Sequence, residues 1–322
     1  MSAKNSVVRI PFSVLAVMLM SIQDALINFL GSDIGLWQIF VVRGLLMSLM
    51  VLGFAQVVGK AGLALRTALR PWVALRSLLY GLMFVLFYAS LTFLDLAQVA
   101  TLFYTSPIFI LLLSALLLNE RVGARGWLAV LISFVGVVLI FRPSIQGFDL
   151  RMLIPIASGF CYALSAIIVR KKCVDEAPLS LISSLTFVML AIGFVGSLGV
   201  SAMGLSIEQK ALQPFLLNGW TQVDRSSLVL IGSLAVMMLG STYFLVKAYQ
   251  LSLPSVVAPF DYCYLLFAVL WGLLIFGQLP DSTTLGGMAL VIMGGLLALT
   301  RQQQQAPAPN PVSAVPLALA PR

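Results

Sequence analysis

Five ionisable residues lie inside stretches that are otherwise apolar: Asp24, Arg43, Arg76, Lys247 and Asp261. Tyr80, Tyr88, Tyr104, Tyr162, Tyr262 and Tyr264 lie in similar stretches, each with a ring face and a hydroxyl to offer. Acids, bases and phenols of this kind suit the binding of a charged, partly aromatic organic solute, or the passage of a proton. They are poorly suited to bond cleavage. The chain has no histidine, which removes Ser-His-Asp catalysis, His-ligated haem and ordinary His-zinc sites. Its three cysteines, Cys161, Cys173 and Cys263, are scattered without a C-x-x-C spacing, so neither a metal cluster nor a disulfide framework is expected. A G-x-x-x-x-G-K-[ST] loop is missing as well, which argues against ATP drive within the chain. No cofactor and no metal is called for.

The elements that position these groups follow from solvent. Of 322 residues, 61% are hydrophobic and 9% are charged. Soluble domains carry roughly 45–50% and about 25%. Such a chain cannot cover itself with polar groups, so most of it must face lipid. The apolar runs are about twenty residues long, the length that crosses a hydrocarbon core as helix and twice that of a barrel strand. The expected class is therefore an all-α integral membrane protein with ten transmembrane helices, at 11–31, 36–58, 71–93, 97–118, 125–142, 152–170, 178–200, 226–249, 254–276 and 284–300. Lys4 and Arg9 imitate the start of a signal peptide, but the run after them is too long and carries Gln23, Asp24 and Asn28, so it reads as a retained helix.

Ten spans place both termini on one side. With that side cytoplasmic, twelve of the 19 Lys and Arg fall inside, among them Arg66, Arg70, Arg121, Arg125, Arg170, Lys171 and Lys172. Only Arg142, Arg151, Lys210 and Arg225 fall outside. This is the positive-inside pattern, and it accounts for the net charge of +8 with a bilayer as partner and no nucleic acid. The loop 201–225 has room for a short interfacial helix, and Trp37 reads as an interfacial anchor. The Gln- and Pro-rich tail 301–322 reads as a disordered cytoplasmic extension.

Ionisable groups cost roughly 2.5–3.5 kcal/mol each at mid-membrane, so the embedded five must face one another or water. Counted from the span ends, Asp24 and Arg43 fall in the outer half and Arg76, Lys247 and Asp261 in the inner half. Two polar clusters on either side of a central cavity are expected. One alternative makes Asp24–Arg43 and Lys247–Asp261 permanent ion pairs that lock helices together. In another, Arg76 and Lys247 snorkel to the nearer interface. A buried carboxylate can also carry a proton, a role that a neighbouring Arg opposes. Pro107 and Pro259 lie within spans four and nine, where each removes a backbone donor and frees carbonyls to face a polar cavity or merely kinks the helix. Gly286, Gly287, Gly294 and Gly295 permit close helix packing or a homodimer contact.

A shift of 158 residues lays spans four and five on nine and ten: Ala100 meets Ala258, Tyr104 meets Tyr262, Gly136 meets Gly294 and Leu139 meets Leu297. Two five-helix halves, 1–146 and 147–300, are expected. Because five is odd the second half enters from the opposite side, which makes an inverted repeat. On Phe87–Leu91, Ala97 through Ser106-Pro107 to Leu118-Asn119-Glu120-Arg121, Val256–Tyr262 and Gly277–Asp281, the sequence resembles the drug/metabolite transporter superfamily, in particular EamA-type ten-helix carriers, over roughly residues 10–300. Arg43, Arg76 and Asp261-Tyr262 look closest to a subgroup with bacterial riboflavin and S-adenosylmethionine carriers and mammalian organic-anion relatives. The resemblance implies a bacterial inner-membrane setting and a central cavity lined by spans one to four and six to nine. Gln278 and Asn28 depart from the family's usual Glu and Lys, so no charge-dependent role is carried over to either.

The expectation is a secondary transporter of a small polar or amphipathic metabolite (amino-acid-like, S-adenosylmethionine-like or riboflavin-like) that works by alternating access. An organic-anion carrier of the same fold is the alternative. Among other classes, an intramembrane aspartyl protease would pair two carboxylates at one depth, whereas Asp24 and Asp261 are expected in opposite halves. A passive channel would present rings of like charge rather than opposite charges.

Overall fold

A computed structural model describes residues 10–30, 34–59, 61–94, 96–142, 150–206, 210, 213–277 and 279–305. Among them every regular element is helical: α1 (Ile10–Leu30), α2 (Leu36–Val57), α3 (Ala61–Ala68), α4 (Pro71–Ser90), α5 (Leu96–Phe103), α6 (Ser106–Leu117), α7 (Ala124–Phe141), α8 (Leu153–Lys172), α9 (Pro178–Ala202), α10 (Pro214–Leu217), α11 (Arg225–Leu251), α12 (Pro254–Asp261), α13 (Cys263–Phe276) and α14 (Ser282–Gln305). Prolines open α4, α9 and α12, where the missing N–H has no helical acceptor to lose. Asp224 caps α11, accepting from Ser227 N–H at 3.1 Å, and the hydrogen bonds from Ser226 and Ser227 hold its carboxyl down at about 2. Seven helical segments are long and apolar enough to cross a membrane, and Pro11–Leu26, Ala124–Ile140 and Ser282–Leu297 are shorter apolar helices.

Three features differ from expectation. Spans four and nine are not continuous: α5 gives way to α6 at Tyr104–Thr105, and α12 to α13 at Tyr262. α3 is an additional helix, amphipathic and so invisible to a search for apolar runs. The last helix continues through the polar residues Arg301–Gln305, where disorder was expected; residues 306–322 and Gln278 lie outside the described residues.

Pro107 explains the first interruption. It has no N–H to offer the Phe103 carbonyl, and Ile108 N–H turns instead to Thr105 at 3.0 Å. The freed Phe103 carbonyl does not enter a cavity. It abuts Gly159 of α8, where a Cβ would lie 2.7 Å from the oxygen. The freed Tyr104 carbonyl accepts from the Tyr262 hydroxyl at 3.1 Å. Pro259 sits inside α12, and the break in span nine follows three residues later.

The principal helix pairs are α7 with α14, α2 with α9, α4 with α8 and α1 with α11. α7 and α14 approach through glycine: a Cβ on Gly136 would meet the Gly287 carbonyl at 2.6 Å, and one on Gly294 would meet the Ala129 carbonyl at 2.6 Å. Gly287 and Gly294 are thus consumed inside the molecule, while Gly286 is exposed and faces open space. Trp37 is more than an interfacial anchor. Its ring lies against Gly196 of α9 and its Nε1 donates to the Leu216 carbonyl at 2.8 Å, fastening α10 over this end of the bundle.

The opposite end is closed by polar ties between distant parts of the chain. Arg70 pairs with Glu176 at 2.5 Å, Thr67 donates to Ser180 at 2.5 Å and Lys171 donates to the Leu117 carbonyl at 2.9 Å. Gln250 donates to the carbonyls of Cys173 and Glu176, both at 2.8 Å.

Candidate functional site

A cavity of about 240 Å³ lies between α1, α2, α4, α5, α6, α8, α11, α12 and α13, in the half of the bundle away from the Arg70–Glu176 tie. Its apolar lining comes chiefly from Phe84, Phe87, Phe103 and three methionines, Met20, Met83 and Met238. The polar groups are few and converge from both parts of the chain: Gln23, Asp24, Arg43, Ser106 and Asp261, with the hydroxyls of Tyr88, Tyr104, Tyr162 and Tyr264. An apolar enclosure with a handful of placed polar groups is the ordinary form of a small-molecule site.

Helix geometry explains this convergence. Asp24 lies one turn beyond Met20 on α1, so the two share a face. The break at Tyr262 lets Asp261 and Tyr264 both reach the cavity although they belong to different helices, α12 and α13.

The carboxylates are satisfied by phenols. Tyr264 donates to Asp24 Oδ2 at 2.5 Å, and Tyr162 and Tyr249 both donate to Asp261 Oδ2 at 3.0 Å. Arg43 Nη2 donates to Gln23 Oε1. Ion pairs Asp24–Arg43 and Lys247–Asp261 do not occur among the described residues; the salt bridges there are Arg70–Glu176 and Arg142–Asp281. Neutral hydroxyls take the place that opposite charges fill in the ion-pair alternative, which leaves each charge available to a ligand. Asp24 is exposed into the cavity, and the second oxygen of Asp261, Oδ1, is buried without a partner among the described residues.

The expected division into two clusters changes accordingly. Asp24, Arg43 and Asp261 line one cavity instead of opposite sides of it. Asp261 reaches the cavity because span nine is broken next to it, which a count along a continuous helix cannot anticipate. Arg76 is apart, buried at 2% exposure beneath Tyr80 with its guanidinium 5.0 Å from that ring's centre. It does not snorkel. Lys247 is half-buried on α11 and lines neither the cavity nor the pocket around Arg76.

Among the tyrosines, Tyr88, Tyr104 and Tyr162 line the cavity, with Tyr88 stacked on Phe84 at 6.2 Å. Tyr80 lies below it, and Tyr262, at 0% exposure, fastens the two broken spans together without lining the cavity. Sequence reasoning passed over Gln23, Tyr249 and the phenylalanines. Gln23, next to Asp24 in an apolar run, carried a usable signal. Tyr249 did not, because its partner Asp261 lies on another helix.

Residues 9–142 match the EamA-like transporter family. The S-adenosylmethionine uptake transporter of Rickettsia prowazekii (strain Madrid E) is 24% identical over 90% of this chain and 92% of its own. The riboflavin transporter of Vibrio cholerae serotype O1 is 29% identical over 71% of this chain and 72% of its own. A solved structure titled "Crystal structure of protein" shares the fold, with a TM-score of 0.71 at 15% identity over 92% of this chain and 98% of that one. The riboflavin transporter of Rhizobium johnstonii is 30% identical over 76% of both chains. An apolar helical bundle with a polar hollow thus coincides with relatives named as transporters, and the chain is an integral membrane protein that belongs to the EamA-like transporter family.

Proposed function

We propose that this protein is a secondary carrier of a small, charged organic metabolite with an aromatic part, working across a bacterial inner membrane by alternating access. The observation that carries the reading is one cavity in which two carboxylates, one guanidinium and several aromatic rings meet from both parts of the chain. Asp24 and Asp261 complement two positive charges, Arg43 complements one negative charge, and Phe84 and Tyr88 offer faces to a flat ring. S-adenosylmethionine has that set: a sulfonium, an ammonium, a carboxylate and a purine. An organic anion, the other reading of the same fold, would meet two acids against one base.

The reading includes ten crossings arranged as two inverted halves, 1–146 and 147–300, with both termini cytoplasmic. Three contacts support it. Tyr262 bonds Tyr104 across a spacing of 158 residues, and the Gly136–Gly287 and Gly294–Ala129 approaches exchange under that same shift. A contact between equivalent residues is what a two-fold axis produces. Under the positive-inside orientation the cavity belongs to the outward half, and the ties around Arg70–Glu176 close the cytoplasmic half. Asp24 or Asp261 would serve as proton carrier if transport is proton-coupled. Gly286, which is exposed, would serve a homodimer.

Uptake by proteoliposomes, measured over amino acids, S-adenosylmethionine, riboflavin and dicarboxylates, tests the proposal. Saturable, counterflow-competent uptake of S-adenosylmethionine is the expected result. Uptake of dicarboxylates alone would favour the anion reading, and linear unsaturable flux would mean a pore.

A further inference from the structure

Arg76 is a costly side chain as it stands. It is 2% exposed, and its Nε and Nη1 have no hydrogen-bond partner among the described residues. Neither described salt bridge involves it. Its guanidinium lies 5.0 Å from the centre of the Tyr80 ring, and the Tyr80 hydroxyl is buried and also without a partner among the described residues. A cation buried without an anion is tolerated when another state of the protein supplies the missing charge.

Around Arg76 is a pocket of about 10 Å³, lined also by Tyr80, Tyr162, Val246 and Tyr249. It is large enough for one water molecule and too small for any metabolite. Tyr162 is common to the linings of this pocket and of the large cavity, so its side chain stands between Arg76 and the site above. Its ring lies 6.1 Å from that of Tyr80 and its hydroxyl is held by Asp261 at 3.0 Å. A solute that drew Asp261 to itself would release this partition.

We infer that Arg76, with the Tyr80 hydroxyl, is a second carboxylate-binding station, on the far side of Tyr162 from the cavity, which receives the substrate's carboxylate from Arg43 when the bundle opens towards the Arg70–Glu176 side. The inference rests on the reading of the substrate as S-adenosylmethionine-like. Arg43 and Arg76 then serve opposite faces of the membrane. One guanidinium is engaged in each state while the other is left without its anion.

The test measures transport in right-side-out and inverted membrane vesicles, with radiolabelled S-adenosylmethionine and its decarboxylated analogue as probes. R76Q is expected to raise KM for S-adenosylmethionine by about tenfold or more in inverted vesicles and by less than about twofold in right-side-out vesicles. R76Q leaves KM for the decarboxylated analogue unchanged on both sides. Tyr80→Phe keeps the ring under Arg76 but removes the hydroxyl, and is expected to raise the same one-sided KM about threefold; it supplies the readout if R76Q fails to reach the membrane. Equal KM changes on both faces, or none in inverted vesicles, overturn the proposal. So does an effect on the decarboxylated analogue as large as on S-adenosylmethionine, since the partner carboxylate is then Asp261. A wild-type protein that moves neither probe overturns the substrate reading and this station with it, whereas intact wild-type transport with an indifferent R76Q overturns the station alone.

Discussion

Two sets of contacts in this molecule obey the same 158-residue shift and are built in opposite ways. Along α7 and α14 the partners are Gly136 with Gly287 and Gly294 with Ala129, so close that a methyl group would strike a backbone carbonyl at 2.6 Å. Between the two broken spans the contact is one phenolic hydrogen bond, Tyr262 to the Tyr104 carbonyl, beside the cavity. The glycine seam excludes everything, side chains included, and holds two helices rigidly by dispersion. The broken spans bring the side chains of Asp261 and Tyr264 to a hollow. The difference indicates where this chain can tolerate change: volume is intolerable at the seam, whereas charge and hydrogen bonding matter at the centre.

Substitutions can break that contrast. Arg43→Ala should have the largest effect, a fall in transport of roughly 100-fold, because a charged hydrogen bond to the solute is worth about 1.5–3 kcal/mol. Its melting temperature in detergent and its membrane yield should stay near the wild-type values. Normal transport would make Arg43 a tie to Gln23 and nothing more. Gly294→Leu should do the reverse. It costs about 3 kcal/mol or more of stability through collision with Ala129 and Ser133, read as a lower melting temperature and yield, while the folded fraction keeps its KM. A shifted KM would mean that the seam communicates with the cavity. Tyr262→Phe is the mildest, removing one hydrogen bond worth about 1 kcal/mol. It should lower the melting temperature slightly and change the turnover rate more than KM, since Tyr262 does not line the cavity.

Much of the architecture could be read directly. Leu36–Val57 and Pro178–Ala202 fall within two residues of their expected spans, because an unbroken apolar run of membrane length has few alternatives to helix. Charges embedded in such runs announced a polar interior, and Asp24, Arg43 and Asp261 do line the cavity. What escaped was their relation to one another. That Asp261 shares one cavity with Asp24 and Arg43 escaped because Tyr262 interrupts its helix, and its partners Tyr162 and Tyr249 come from α8 and α11. Amphipathic α3 escaped for a different reason, namely that hydropathy alone does not register a short helix with a polar face.

Composition and periodicity by themselves determined the solvent, the helices and the presence of buried charge, because those follow from transfer free energies that act residue by residue. Which phenol would answer which carboxylate, and that Arg76 would be left unanswered, was decided only when helices far apart in the chain packed together. Hydrogen bonds reach about 3 Å, and no spacing along a sequence specifies a distance of that size between different helices.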